Sequence, residues 1–146
     1  MDNQKIDFVL TWVDDSDPAW IEEKNKYDVK QKLPTVRIRD WDFLLYWFRA
    51  VEKYAPWVNK IHLVTWGHVP KFLNIKNEKV NIVNHKEIFD EKYLPIFSTT
   101  ALELSLHKIP GIADQFVYFN DDMFINRPVS PEDFFVNGLP KDIGLM

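Results

Sequence analysis

IDFVLTWVDDSDP, residues Ile6 to Pro18, reads as a strand running straight into a helix start. Ile6 to Val13 is a nearly continuous apolar run rich in strand formers, the pattern of a central strand covered on both faces. It stops at Asp14-Asp15-Ser16-Asp17-Pro18. An Asp17 carboxylate can accept from the open amides of a first helical turn, and Pro18 loses no hydrogen bond at the first helical position. The predicted helix runs to about Lys32, and Pro34 ends it.

Outward from this stretch the chain alternates strands and helices. Asp40 is placed to cap a second helix reaching Tyr54, with Trp41, Leu44, Leu45, Phe48 and Val51 on the helical period. Trp47 and Phe43 add apolar surface on other faces, and Pro56 closes the helix. Lys60 to Thr65 predicts a second strand and Val80 to Val83 a short third. Thr100 and Glu103 have the spacing of a capping box, opening a helix with Leu102, Leu106 and Ile109 on one side. Pro110-Gly111 stops it. Phe116 to Phe119 predicts a fourth strand that ends directly in Asn120-Asp121-Asp122.

With no repeat, linker or low-complexity tract, residues 1–146 read as one domain. The expected fold class is α/β, a mostly parallel sheet with helices on both faces. Right-handed crossovers would align the carboxyl ends of the strands along one edge, where such sheets bind ligands.

Composition narrows the chemistry. The 146 residues are 46% hydrophobic and 27% charged, ordinary for a globular domain of a size that buries a real core. A net charge of -4 offers no basic field for a nucleic-acid backbone, although a single nucleotide with a divalent cation is compatible with it. The absence of Cys excludes disulfides, thiolate catalysis and zinc-thiolate sites. Aromatic residues reach 15%, serving either a core rich in rings or a platform for sugars or bases. Neither a signal peptide nor an apolar stretch long enough to span a membrane is read, so the expected compartment is the cytoplasm.

The acids collect at the ligand-binding edge. Asp14, Asp15 and Asp17 follow the first strand, and Asp121 and Asp122 follow the fourth. Hard cations take oxygen ligands, so these positions suit Mg²⁺ or Mn²⁺ bridging to a diphosphate. The competing reading is a helix cap and solvated turns, and Asp17 fits the cap. For Asp121-Asp122 the metal reading is favoured, because adjacent acids repel and gain from a cation. Only four Gly occur and none forms a glycine-rich loop, which argues against P-loop and dinucleotide sites. Phosphate would then fall to the cation and to Arg37, Arg39 or Arg49. Among the histidines, His62 reads as structural and His68 as a solvated turn residue. His85, after the third strand, and His107, near a helix end, stay open.

Several long motifs in order resemble the Stealth proteins. IDFVLTWVDDSDPAW (Ile6 to Trp20) is similar to the first Stealth region, and RIRDWDFLLYWFRAVEKYAPWVNKIHLVTWGHVP (Arg37 to Pro70) to the start of the second. VNHKEIF, YLPIFSTTALELSLHKIPGI and FVYFNDDMFINRPVSPEDFF are similar to its remainder. The resemblance implies a sheet related to GT-A glycosyltransferases. It also implies transfer of a sugar-1-phosphate from a nucleotide sugar, UDP-linked by expectation, to a glycan hydroxyl in capsular or exopolysaccharide synthesis. By the same resemblance Asp122, with Asp121 beside it, is the central metal-site acid, and Glu103 is the essential acid on the preceding helix. Thr11, Trp12 and Asp14 of the TWVD segment, Asn120, and the basic Arg39 are implied to contact the donor. Association with membrane-bound polysaccharide assembly machinery is a further implied partnership.

Departures from the family pattern bear on this expectation. Thr65-Trp66-Gly67-His68 stands where a TNGQ-like turn is usual, and Ser98-Thr99-Thr100 puts threonine where serine is frequent. The second region is followed closely by Met146, so a truncated form lacking the family's third and fourth regions is expected. Two other readings stay open: a metal-dependent glycosyltransferase that moves the sugar alone, and a non-catalytic binding module.

Overall fold

A computed structural model describes residues 5–27 and 43–141. Strands β1 (Ile6–Thr11), β2 (Ile61–Thr65), β3 (Val80–Asn84) and β4 (Gln115–Phe119) form one sheet in the order β3-β2-β1-β4. Every neighbouring pair is parallel, with Phe8 opposite Ile61 on one side and Val117 on the other. This is the expected α/β class, and each predicted strand is present to within two residues at either end.

Apart from buried Asp7, β1 runs apolar from Ile6 to Leu10 without alternation because both of its faces are covered. Ile6, Phe8 and Leu10 pack with Leu44, Trp47 and Val51 of α2 (Leu44–Tyr54). Val9 belongs to the opposite cluster, with Val64, Val83, and Leu102 of α4 (Thr99–Ser105). Helices therefore lie on both faces, and burying each large apolar side chain contributes roughly 1.5–3 kcal/mol.

Helix α1 (Pro18–Tyr27) begins where the sequence places it. Its predicted end near Lys32, and the cap at Asp40 with Trp41, lie outside the described residues. The buried stripe of α2 differs from the expected one. It runs through Leu44, Trp47 and Val51, with Trp47 only 1% exposed, while Phe43 is 50% exposed. Periodicity alone did not locate its centre because this helix carries apolar residues on several sides, and only contact with Phe8 and Phe119 selects the face.

The capping box at Thr100 is also corrected. Ser98 is the cap, with extended backbone and a side-chain oxygen accepting from the Ala101 amide at 3.4 Å. Serine and threonine cap alike, so only the backbone could choose between them. Short α3 (His85–Ile88) follows β3 at once, capped reciprocally by Asn84 and Glu87.

The segment after Pro128 folds back onto the domain. It packs along the α2 side. Trp57 Nε1 donates to Val129 O at 2.7 Å, and Gln115 Nε2 to Gly138 O at 2.9 Å. There β5 (Phe135–Val136) and β6 (Leu139–Pro140) form a hairpin. Its two-residue Asn137-Gly138 loop has φ of 53° and 79°, the backbone that matches strand twist in tight hairpins.

From β1 the sheet grows outward through β2 and β3, whereas β4 joins the other side of β1. The carboxyl ends of β1 and β4 therefore flank a topological switch point, where a crevice forms between diverging loops.

Candidate functional site

A cavity of about 460 Å³ opens at that switch point. The segment after β1 supplies Thr11, Trp12, Val13 and Asp15, and the segment after β4 supplies Asn120, Asp121 and Asp122. α1 contributes Trp20 and Lys24, spaced by one helical turn and so on one face. The lysine ammonium sits 4.9 Å from the centre of the Trp20 ring, and Phe97 meets Trp20 edge-on at 6.0 Å. Buried Val64, Leu102 and His85 line the inner part, while Asp121 and Asp122 are exposed at the mouth.

One hydroxyl ties the mouth together. Tyr118 OH is 2.6 Å from Asn120 Oδ1, 3.1 Å from Thr11 Oγ1 and 3.4 Å from Glu103 Oε1. It carries a single proton, so it donates to Asn120 or to Glu103 while Thr11 donates to it. Burial raises its pKa; the Thr11 bond works the other way, and the charges of Glu103 and Asp121 raise it again. The phenol therefore stays protonated. Glu103 is exposed and does not line the cavity, but this bond brings it to the rim. Sequence reading missed Tyr118, although its spacing of two from Asn120 puts both on one strand face.

The acidic loop after β1 is held by its own hydrogen bonds. Asp14 Oδ1 accepts from the Ser16 amide at 3.1 Å and hydroxyl at 2.6 Å, and the Asp14 amide donates to His68 Nδ1 at 3.0 Å. Asp15, rather than Asp14, lines the cavity. Asp17 is the helix cap, accepting from the amides of Ala19 and Trp20. His68 is not a solvated turn residue. Its side chain is 9% exposed, and Nε2 lies 3.2 Å from Asp17 Oδ2 without hydrogen-bond alignment. It straps the β2 turn to the acidic loop.

Of the remaining candidates, Arg37 and Arg39 lie outside the described residues. Arg49 is exposed on α2 beside a separate groove, its guanidinium 5.9 Å from the Tyr46 ring. His107 is exposed and does not line the cavity. His62 is structural, bonded to Asp7 and Asn81.

Among the described residues no three His, Cys, Asp or Glu side chains group closely enough to hold a metal by themselves. Asp15, Asp121 and Asp122 nevertheless line one cavity. That donor set fits a Mg²⁺-like ion that takes one or two carboxylates and completes its shell with phosphate and water oxygens.

Comparison with known proteins adds to this geometry. Residues 4–30 match the family described as Stealth protein CR1, conserved region 1, and residues 37–142 match Stealth protein CR2, conserved region 2. The chain is 52% identical over 139 residues to the exopolysaccharide phosphotransferase cps2G of Lactiplantibacillus plantarum, covering 94% of this chain and 41% of that protein. It is 49% identical over 140 residues to the capsular polysaccharide phosphotransferase WcwK of Streptococcus pneumoniae, covering 93% and 43%. With the receptor polysaccharide phosphotransferase WefC of Streptococcus oralis it shares 50% over 144 residues, covering 94% and 43%. The chain thus spans less than half the length of these three relatives.

Proposed function

This chain belongs to the Stealth protein family, and from that premise we propose that it binds a nucleotide sugar and serves in sugar-1-phosphate transfer to a glycan hydroxyl. The observation that supports this reading is the switch-point cavity, where Lys24 and the Asp121-Asp122 pair share one space with aromatic Trp12, Trp20 and Phe97. Rings suit the flat or apolar faces of a base or sugar, and the mixed charges suit a diphosphate with its cation.

In the proposed reaction the acceptor oxygen forms a bond to the phosphorus that carries the sugar. The bond from that phosphorus to the bridging oxygen breaks, and nucleoside monophosphate leaves. Glu103, held at the rim by Tyr118, is assigned to take the proton of the acceptor hydroxyl. Lys24 neutralises phosphate charge, a large part of what phosphoryl transfer asks of a protein. A Mg²⁺ or Mn²⁺ held by Asp121 and Asp122 would add charge neutralisation and alignment. The setting that follows is capsular or exopolysaccharide synthesis, beside membrane-bound assembly machinery at the inner face of the membrane. Among the described residues no helix is long and apolar enough to cross a membrane.

Calorimetric titration of UDP-N-acetylglucosamine, with and without Mg²⁺ or Mn²⁺, tests the reading on wild type and Asp122→Ala. Metal-dependent binding lost in the variant is the expected result. Where turnover is seen, release of nucleoside diphosphate instead of monophosphate would convert the reading to glycosyl transfer. Binding that never turns over when acceptor is supplied would make the chain a binding module.

A further inference from the structure

The two fully enclosed histidines are treated very differently by the fold. His62 has both ring nitrogens bonded, Nε2 to Asp7 and Nδ1 to Asn81, each at 3.0 Å. His85 is 2% exposed, and neither of its ring nitrogens has a hydrogen-bond partner among the described residues. An imidazole enclosed in this way costs stability that a leucine of similar size would not. Among the described residues no hydrogen bond of the imidazole offsets it: the α3 cap is made by Asn84 and Glu87, and the helical bond from the Phe89 amide goes to the backbone oxygen of His85.

His85 does, however, line the inner part of the switch-point cavity, together with Val64 and Leu102. We propose that His85 is a ligand-binding residue whose ring, with both nitrogens covered in the described arrangement, turns toward the cavity to hydrogen-bond a hydroxyl or amide group on the uncharged portion of the nucleotide sugar. This rests on the nucleotide-sugar reading above and assigns that portion to the inner cavity. Burial, with a smaller effect from the charge of His68, pushes the imidazole pKa down to about 4. At neutral pH the ring therefore offers one donor and one acceptor, which pairs with a group that also does both. A phosphate, which only accepts, is better served at the mouth by Lys24 and a cation.

The test pairs thermal melting with calorimetry on His85→Leu and His85→Gln, using UDP-N-acetylglucosamine and UDP with Mn²⁺. His85→Leu is expected to melt at or above the wild-type temperature yet bind UDP-N-acetylglucosamine at least tenfold more weakly. Glutamine keeps a donor and an acceptor and is expected to recover part of that loss. A loss confined to the sugar nucleotide places the bonded group on the sugar, and an equal loss for UDP places it on the nucleoside. Binding within twofold of wild type, or a lower melting temperature in His85→Leu, overturns the proposal and leaves the nucleotide-sugar reading standing. Wild type that binds no nucleotide sugar under any condition overturns both.

Discussion

Asp7 and His62 face each other inside the sheet, Oδ2 to Nε2 at 3.0 Å, with side chains 0% and 1% exposed. Asp7 also accepts from Asn59 Nδ2 at 2.6 Å, the Lys60 amide at 3.0 Å and the Ala113 amide at 2.8 Å. One carboxylate thus joins β1 to the segments that enter β2 and β4, at the edge opposite the cavity. Asp7→Asn would turn one acceptor into a donor aimed at existing donors. A loss of about 3–5 kcal/mol in urea unfolding is expected, the scale for breaking a buried pair.

Acid should destabilise the protein in two stages. The ordinary His value is 6.5, and that of folded His85 is about 4, so between those values only the unfolded chain takes up the proton. Stability therefore falls as pH drops from 6.5 to 4, by up to roughly 3 kcal/mol. Burial would raise the Asp7 pKa, but its hydrogen bonds from Asn59, His62 and Ala113 prevail and hold it below 3.8. Its contribution is present above 3.8 and is lost as pH falls through the lower folded value. Urea midpoints measured across this range should show the first stage flattened in His85→Leu and the second retained.

Tyr118→Phe removes only the hydroxyl shared by Thr11, Asn120 and Glu103. The expected stability cost is about 1 kcal/mol, the net worth of an ordinary hydrogen bond. Nucleotide-sugar affinity should fall by more than that stability change suggests, because Asn120 at the mouth loses its tether. An unaltered calorimetric isotherm would remove Tyr118 from the site.

Lys24 is the one described cation lining the cavity. Lys24→Gln should weaken UDP-N-acetylglucosamine by about tenfold, a loss equal to roughly 1.4 kcal/mol, and should leave uridine binding unchanged. Equal losses for both ligands would show that Lys24 acts by packing on Trp20.

Trp47 fills the interface between α2 and β1, touching Phe48 and Phe119 edge-on at 5.2 and 5.5 Å. Trp47→Ala should cost about 3–5 kcal/mol of unfolding free energy. Trp47→Phe should cost far less, since it also removes a buried indole N–H that has no partner among the described residues.

The fold class was legible because burial of a parallel sheet leaves local marks. Ile6 to Val13 and Phe116 to Phe119 are apolar where both faces are covered, and Asp17-Pro18 announces a helix by backbone chemistry alone. The acid pair at the end of β4 was legible for the same reason, since strand ends set where the loops emerge. Asp7 was not, because one acid in an apolar run gives no sign that four donors converge on it. The Ser98 cap was hidden by three adjacent hydroxyl residues, and the Trp47 face by apolar side chains all round α2.

Sequence alone determined the order of elements, the parallel α/β class, the family resemblance and the position of Asp121-Asp122. These depend on local backbone preference and on the burial period along each strand. Tertiary structure alone decided that Lys24, Trp20, Phe97 and His85 line the same cavity as those acids. It also decided that Tyr118 links Thr11 to Glu103, and that His68 is strapped down rather than solvated. Such convergence is set by strand order and helix packing, which bring together side chains distant along the chain.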